Sequence, residues 1–280
     1  MLPSVEDPTE IDLALLKVPK SLALLEDQLC RIAPLLDNGA VLIAAGMARH
    51  IHTSTLKLFE SIIGPTKTSR AQKKARLIFA QRNADLPART SPWPSRHDVT
   101  LPTGQTMIVA NHASVFARDR LDAGTRLLLD HLPTALGATT IVDLGCGSGI
   151  LGTAAGLANP GSQVTFIDES YMAVASAELT ASEALGSAAV RCVVGDGLGA
   201  ADLSEVDLIV NNPPFHQDHA VGDAVAWQMF TESHAALRPG GELWVVGNRH
   251  LGYHAKLNRI FGNCDTVGPG SKFVVLRATR

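Results

Sequence analysis

Asn212-Pro213-Pro214-Phe215 follows the apolar run Leu208-Ile209-Val210, about 65 residues after the loop Asp143-Leu144-Gly145-Cys146-Gly147-Ser148-Gly149. The Asn212 side-chain oxygen and the Pro213 carbonyl are two hydrogen-bond acceptors on a turn stiffened by two prolines. Phe215 offers a flat face on which a ring can stack. Two acceptors and a platform suit a planar nitrogen that carries two N–H groups. Such a nitrogen, in an amide or on an aromatic ring, is a poor nucleophile because its lone pair is delocalised. Accepting both N–H groups aims the lone pair one way. It also binds the positive, pyramidal nitrogen of a transition state more strongly than the neutral amine. The proton becomes acidic as the new bond forms, so no strong base is required. His216, Asp218 and His219 read as a polar loop.

The glycine loop implies a cofactor of adenosine type. Glycines at 145, 147 and 149 let a ligand approach the backbone where strand turns into helix, where a Cβ would block it. Asp143, at the strand end, can accept from an ammonium group. Asp168, followed by Glu169, ends the next strand and can accept two ribose hydroxyls. Asp196, followed by Gly197, ends a third strand and can accept an adenine amino group. These acids fall at three successive strand ends, the edge where such sheets bind ligands. The cofactor set is therefore Asp143, Gly145, Cys146, Gly147, Gly149, Asp168, Glu169, Asp196, Gly197 and Asn212. The segment from Gly147 to Gly152 also fits the dinucleotide pattern G-x-G-x-x-G, with Asp168 about 20 residues on. That reading leaves Asp196 and the tetrapeptide without a role. Cys146 reads as a small residue packed beside the cofactor. The position after the fourth strand, where carbon methylation through a covalent adduct needs a cysteine, holds Asn211 and Asn212 instead.

The elements that must position these residues alternate. Strands are expected at 99–101, 105–110, 140–144, 164–167, 190–194, 208–210 and 242–246. Helices are expected at 121–132, 151–157, 173–185 and 227–237. This is the pattern of a parallel, doubly wound sheet. A helix at 253–261 then leads to strands near 265–267 and 273–278, joined so tightly that they must be antiparallel. An internal repeat is also visible. Ile11-Asp12-Leu13 matches Val206-Asp207-Leu208, and Leu36-Asp37-Asn38-Gly39 with an apolar run matches Leu237-Arg238-Pro239-Gly240 with its own. Each is followed by Arg-His, at Arg49-His50 and Arg249-His250. Residues 11 to 80 thus read as a copy of the second half of the later fold, with Lys17-Val18-Pro19-Lys20 in place of Asn-Pro-Pro-Phe. The domain plan is a degenerate half-domain at 1–80, a proline-rich linker at 81–98 and a catalytic domain at 99–280. The strand near Leu13 to Leu16 should lie at an open sheet edge.

Composition narrows the class. The 280 residues are 46% hydrophobic and 18% charged, as in ordinary folded proteins. No apolar run approaches the ~20 residues of a membrane span. The acidic, proline-containing start is unlike a signal peptide. Four scattered cysteines form no zinc spacing and no disulfide framework, so a reducing cytoplasm and no metal are expected. The net charge is −3, yet 49–82 holds eight Lys or Arg against Glu60 alone, which leaves room for a local basic surface.

On these residues the chain resembles the bacterial ribosomal RNA guanine-N2 methyltransferases, and their large-subunit branch in particular. Besides the loop and the tetrapeptide, the similar stretches are Leu15 to Lys20, Ile51 to Thr55, Lys73 to Leu77, Gly247 to Leu251 and Phe261 to Cys264. The segment Phe116 to Thr125 is similar to one that covers the cofactor's methionine end in that family. The resemblance implies a seven-stranded Rossmann-like class I methyltransferase domain preceded by a truncated, degenerate half-copy of the same fold. It implies S-adenosyl-L-methionine as cofactor and ribosomal RNA as partner, with Asn212, Pro213, Pro214 and Phe215 catalytic at a guanine N2. Two other readings fit the residues: a protein-glutamine N5-methyltransferase, whose motif is similar, and an inactive RNA-binding or assembly module.

Overall fold

The computed structural model describes residues 11–115, 121–134, 136–214 and 219–280. The chain divides into two compact units, Met1–Trp93 and Pro94–Arg280.

In the first unit, β1 (Ile11–Lys17), α1 (Leu22–Ile32), β2 (Leu36–Met47), α2 (Thr53–Ile62), β3 (Thr66–Thr68) and β4 (Ala75–Gln81) form a sheet of order β1-β2-β4-β3. Ser21 caps α1 by accepting from the Leu24 amide at 3.3 Å, which satisfies one of the unpaired donors of the first turn. The apolar faces of the two helices supply Leu25, Leu29, Phe59 and Ile62 to a core with Leu42, Ala44, Ile78 and Ala80. Strand residues alternate between sheet faces. The other face therefore carries Leu13, Leu15, Val41, Leu77 and Phe79, all exposed. β1 lies at the edge of this sheet.

The second unit opens with the hairpin β5 (Ser95–Thr100) and β6 (Thr106–Asn111). β5 begins four residues before the expected strand and takes up the end of the expected linker. The polar run Ser95 to Asp98 hid it from a reading based on apolar alternation. Then follow α3 (Ala123–Leu129), β7 (Thr140–Leu144), α4 (Ile150–Ala158), β8 (Gln163–Asp168), α5 (Tyr171–Leu185), β9 (Val190–Val194) and β10 (Val206–Asn211). The chain closes with α6 (His219–Ala236), β11 (Leu237–Asn248), α7 (Tyr253–Phe261), β12 (Asp265–Pro269) and β13 (Phe273–Thr279). The sheet order is β12-β13-β11-β10-β7-β8-β9. The pairs β11·β10, β10·β7, β7·β8 and β8·β9 are parallel, and β13 runs antiparallel to both β11 and β12. Apolar clusters cover both faces. One holds Ile141, Val164, Phe166, Leu208 and Val210, the other Val142, Leu144, Ile167, Ile209 and Phe230.

α6 starts eight residues before the expected helix and includes His219, which had read as loop. Its first turns, His-Ala-Val-Gly-Asp-Ala-Val-Ala, carry no clear apolar stripe. α3 is shorter than its apolar pattern suggested, because Asp122 caps it and the residues after Leu129 turn away. β10·β11 and β1·β2 share a feature. Both are parallel, and each breaks register after its first pair, Val206↔Leu237 in one and Ile11↔Leu36 in the other. β4 pairs antiparallel with β2 and β3, as β13 does with β11 and β12. Among the described residues no helix is long and apolar enough to cross a membrane.

Candidate active site

The loop from Gly145 to Gly149 is pinned to the end of β8. The amides of Gly145 and Cys146 donate to the Ile167 carbonyl at 2.8 and 3.0 Å. The Gly147 amide donates to Asp168 Oδ2 at 3.0 Å, and Asp168 Oδ1 accepts from the Ser170 amide at 2.9 Å. Each carboxylate oxygen keeps a further lone pair, so Asp168 can still accept two hydroxyl groups. The glycines differ in what they do. Gly147 has φ +53, and a Cβ built there would stand in open space. That is the cradle a ligand would fill. A Cβ on Gly149 would lie 2.8 Å from the Ala177 backbone. Close packing of α4 on α5 therefore already calls for a glycine there. Gly197 is likewise a packing glycine. A Cβ there would collide with the carboxylate of Glu232 on α6, which accepts from the Leu198 amide at 2.6 Å. Glu232 carried no sequence signal, because its partner lies 34 residues away.

Asp143 is buried at the end of β7 and accepts from the Gly152 amide at 2.8 Å. Burial pushes its carboxyl up to about 8, and the nearby Asp168 charge adds to the effect, while the Gly152 hydrogen bond opposes it. A cation delivered to this carboxyl would reverse that balance. Cys146 is buried, and burial, with the charges of Asp143 and Asp168, holds its thiol well above the usual range. That favours the uncharged thiol and disfavours nucleophilic attack. Asp196 and Glu169 are exposed at their strand ends.

Asn212 directly follows β10. Its Nδ2 donates to Thr125 Oγ1 at 2.9 Å and lies 3.4 Å from Asp122 Oδ2. Its Oδ1 is buried and has no hydrogen-bond partner. A buried acceptor without a donor costs about 1–3 kcal/mol, and here it stands where the sequence places the substrate nitrogen. Pro213 is buried and Pro214 exposed. Phe215 lies outside the described residues, as do Phe116 to Arg120 of the segment expected over the methionine end. Asp122 and Thr125 were missed as partners of Asn212. In the sequence both fell inside the helix expected at 121–132 and in the segment expected over the methionine end, and nothing there pointed to a residue 87 positions on.

An open glycine cradle, carboxylates at the ends of β7 and β8, and an unpaired amide oxygen at the end of β10 together fit an adenosyl cation beside an N–H donor. Residues 106–277 match the family described as Methyltransferase small domain, and residues 1–84 match the RLMG N-terminal domain. The chain is 55% identical over 277 residues to a Ribosomal RNA large subunit methyltransferase G of Streptomyces avermitilis, covering 98% of this chain and 72% of that one.

This chain belongs to the ribosomal RNA large subunit methyltransferase G family.

The family's Stutzerimonas stutzeri member is 49% identical over 269 residues, covering 96% of this chain and 71% of its own length. Among solved structures, the T. thermophilus 16S rRNA N2 methyltransferase in complex with AdoMet and guanosine superposes with a TM-score of 0.78. It is 24% identical and covers 98% of this chain and 74% of its own, a likeness of fold. Membership in the methyltransferase G family rules out the dinucleotide reading of Gly147 to Gly152. The third glycine of that pattern, Gly152, instead makes room for Phe166 and Asp143.

Proposed function

We infer that this protein transfers a methyl group from S-adenosylmethionine to the exocyclic N2 of a guanine in large-subunit ribosomal RNA. The observation that carries this reading is the Asn212 amide. Its NH2 end is held by Thr125 and its buried oxygen is unpaired. When bound, S-adenosylmethionine supplies a methyl group on a sulfonium, ready for attack by a nucleophile. Asp168 would hold the ribose through the lone pairs its two backbone contacts leave over. Asp143 would accept from the α-ammonium and Asp196 from the adenine amine, and Gly147 would leave room for the ligand. Asn212 Oδ1 and the Pro213 carbonyl accept the two N–H groups of the guanine amine, and Phe215 stacks on the base. With both hydrogens held, the nitrogen lone pair would be aimed in one direction, away from the two acceptors. Such in-line positioning supplies up to ~7–11 kcal/mol in ideal cases. The N–C bond would form as the S–C bond breaks to leave a neutral thioether, and the proton made acidic on the nitrogen would pass to water.

The first unit supports the reading of a degenerate half-copy. Its strand order, strand senses and register break match those of the second unit's β10 to β13. Counted along the sequence from these paired strands, Lys17 falls at the place of Asn212 and Lys20 at that of Phe215. Both are exposed, as are Lys57, Lys67, Arg70, Lys73 and Lys74. The half-copy then serves RNA binding, and the protein works in the cytoplasm, where ribosomes are made. The domains are the half-copy to about residue 80 and the catalytic fold from β5 on.

Mass mapping of modified nucleosides in ribosomal RNA, with and without this protein, tests the assignment. A single N2-methylguanine lost from large-subunit RNA is the expected result. Unchanged RNA together with a lost N5-methylglutamine in a protein would move the activity to the protein-modifying reading.

A further inference from the structure

We propose that Thr125 and Asp122 are positioning residues that fix which end of the Asn212 amide faces the substrate, an inference that rests on the catalytic role of Asn212 given above. Asp122 is the N-cap of α3 and accepts from the amides of Gly124 at 2.8 Å and Thr125 at 3.2 Å. It also accepts the Thr125 hydroxyl proton. That proton is then spent, so Thr125 Oγ1 can offer Asn212 only a lone pair. The Asp122 carboxylate offers only lone pairs as well. Both groups that face the inner end of the Asn212 side chain are therefore acceptors. Only the NH2 end of the amide satisfies them. The oxygen must point the other way, and there it is buried and unpaired. Reversing the amide would set an oxygen against two acceptors and present two donors to an amine that needs acceptors.

The chain of bonds does more than orient. An ionised carboxylate at its end polarises the Thr125 hydroxyl and through it the amide, which strengthens Oδ1 as an acceptor. Helix capping and substrate alignment thus share one carboxylate. Thr125 is buried, and the cap's bonds to the Gly124 and Thr125 amides do not involve its hydroxyl, so Thr125 separates the two roles.

The test is single-turnover methylation of large-subunit ribosomal RNA from cells lacking the protein, with methyl-labelled S-adenosylmethionine at saturation. Thr125→Val keeps the shape and removes the hydroxyl. The expected result is a fall in rate of roughly tenfold or more, towards the loss seen when a transition-state acceptor is removed. Cofactor affinity by calorimetry should stay within about twofold, and Thr125→Ser should recover most of the rate. Combined with Asn212→Ala, Thr125→Val should cost nothing further, because the two act as one unit. A wild-type rate for Thr125→Val, with Asn212→Ala slowed, overturns the positioning role alone. Wild-type rates for both overturn the role of Asn212 itself. Failure of Thr125→Ser to recover the rate assigns the loss to packing and also overturns the proposal. Should Thr125→Val not fold, Asp122→Asn decides, since it retains a capping oxygen. It should slow turnover with cofactor affinity kept, and an undiminished rate refutes the relay.

Discussion

Asp143→Asn should erase the pH dependence of cofactor binding while leaving the site's shape intact. The carboxyl is buried, accepts from the Gly152 amide, and is held up to about 8 chiefly by burial. At pH 7 roughly one-tenth of it is ionised, so binding a cation there must first expel a proton. That lowers apparent affinity about tenfold, or ~1.4 kcal/mol, relative to the ionised site. Between pH 6 and 7 the affinity of the unaltered protein should rise nearly tenfold. Calorimetry in buffers of different ionisation enthalpy should detect about 0.9 proton released per cofactor at pH 7. The asparagine variant retains an acceptor for Gly152 but cannot ionise. Its binding should be flat over the same range and release no proton. At pH 7.5 it should be weaker by part of the ~1.5–3 kcal/mol that a hydrogen bond to a charged group contributes. At pH 6 the gap should close. The cofactor's own amine is about half-deprotonated near pH 8, so the comparison belongs at or below 7.5. Stability without cofactor has the opposite slope. The folded carboxyl keeps its proton between about pH 4 and 8 while the unfolded one does not, so rising pH destabilises the fold through this group, and Asp143→Asn removes that slope. Parallel pH profiles for the two proteins would refute the reasoning.

Asp168→Ala leaves the amides of Gly147 and Ser170 without their carboxylate. Cofactor affinity should weaken by ~1.5–3 kcal/mol, and a change below twofold by calorimetry would count against its role. Gly152→Ala puts a Cβ 2.6 Å from Phe166 Cε1 and 2.7 Å from Asp143 Cβ. Denaturant titration should show a loss of about 1–3 kcal/mol, the usual cost of overpacking. Gly147→Ala meets no atom, so its main effect should be on cofactor affinity rather than on folding, beyond the ~1–2 kcal/mol of a left-handed alanine. Burial raises the Asp207 carboxyl, but Arg238, the Thr139 and Thr140 amides and the Thr139 hydroxyl together outweigh it and hold it down at about 2. Its contribution to stability is present above about pH 4 and lost as the pH falls towards 2. Melting curves of Asp207→Asn should therefore lie below those of the unaltered protein at pH 5 and converge with them near pH 2.

The alternation of strand and helix was legible because buried parallel strands such as Ile141 to Leu144 and Ile209 to Asn211 are apolar runs ended by acids, glycines or asparagines. The strand order that the two units share has a counterpart in the sequence, where Asp12 and Asp207 hold matching places. What escaped were features set by tertiary contact. β5 is a strand of mostly polar residues held by pairing with β6. The first turns of α6 carry no apolar stripe. Gly149 and Gly197 read as ligand glycines, and in the structure a Cβ at either would also meet Ala177 or Glu232. Spacing reveals that a Cβ is unwelcome and cannot tell which atom excludes it. The Asn212 clamp was hidden for the same reason. Asp122 and Thr125 lie in sequence order before the whole cofactor loop, and only the sheet brings them to the end of β10.

The one-sided sheet of the first unit divides its strand positions into two classes of mutational tolerance. Leu42, Ala44, Ile78 and Ala80 are sealed under the helices, while Val41, Leu77 and Phe79 on the same strands are open to water. Polar replacements across β2 and β4 should then be tolerated with a period of two residues. A scan that found Leu13, Leu15, Leu77 and Phe79 as intolerant as Leu42 and Ile78 would mean that the open face is occupied when the protein works. In that way a pattern of viable variants, without any structure of a complex, reports whether this surface is idle.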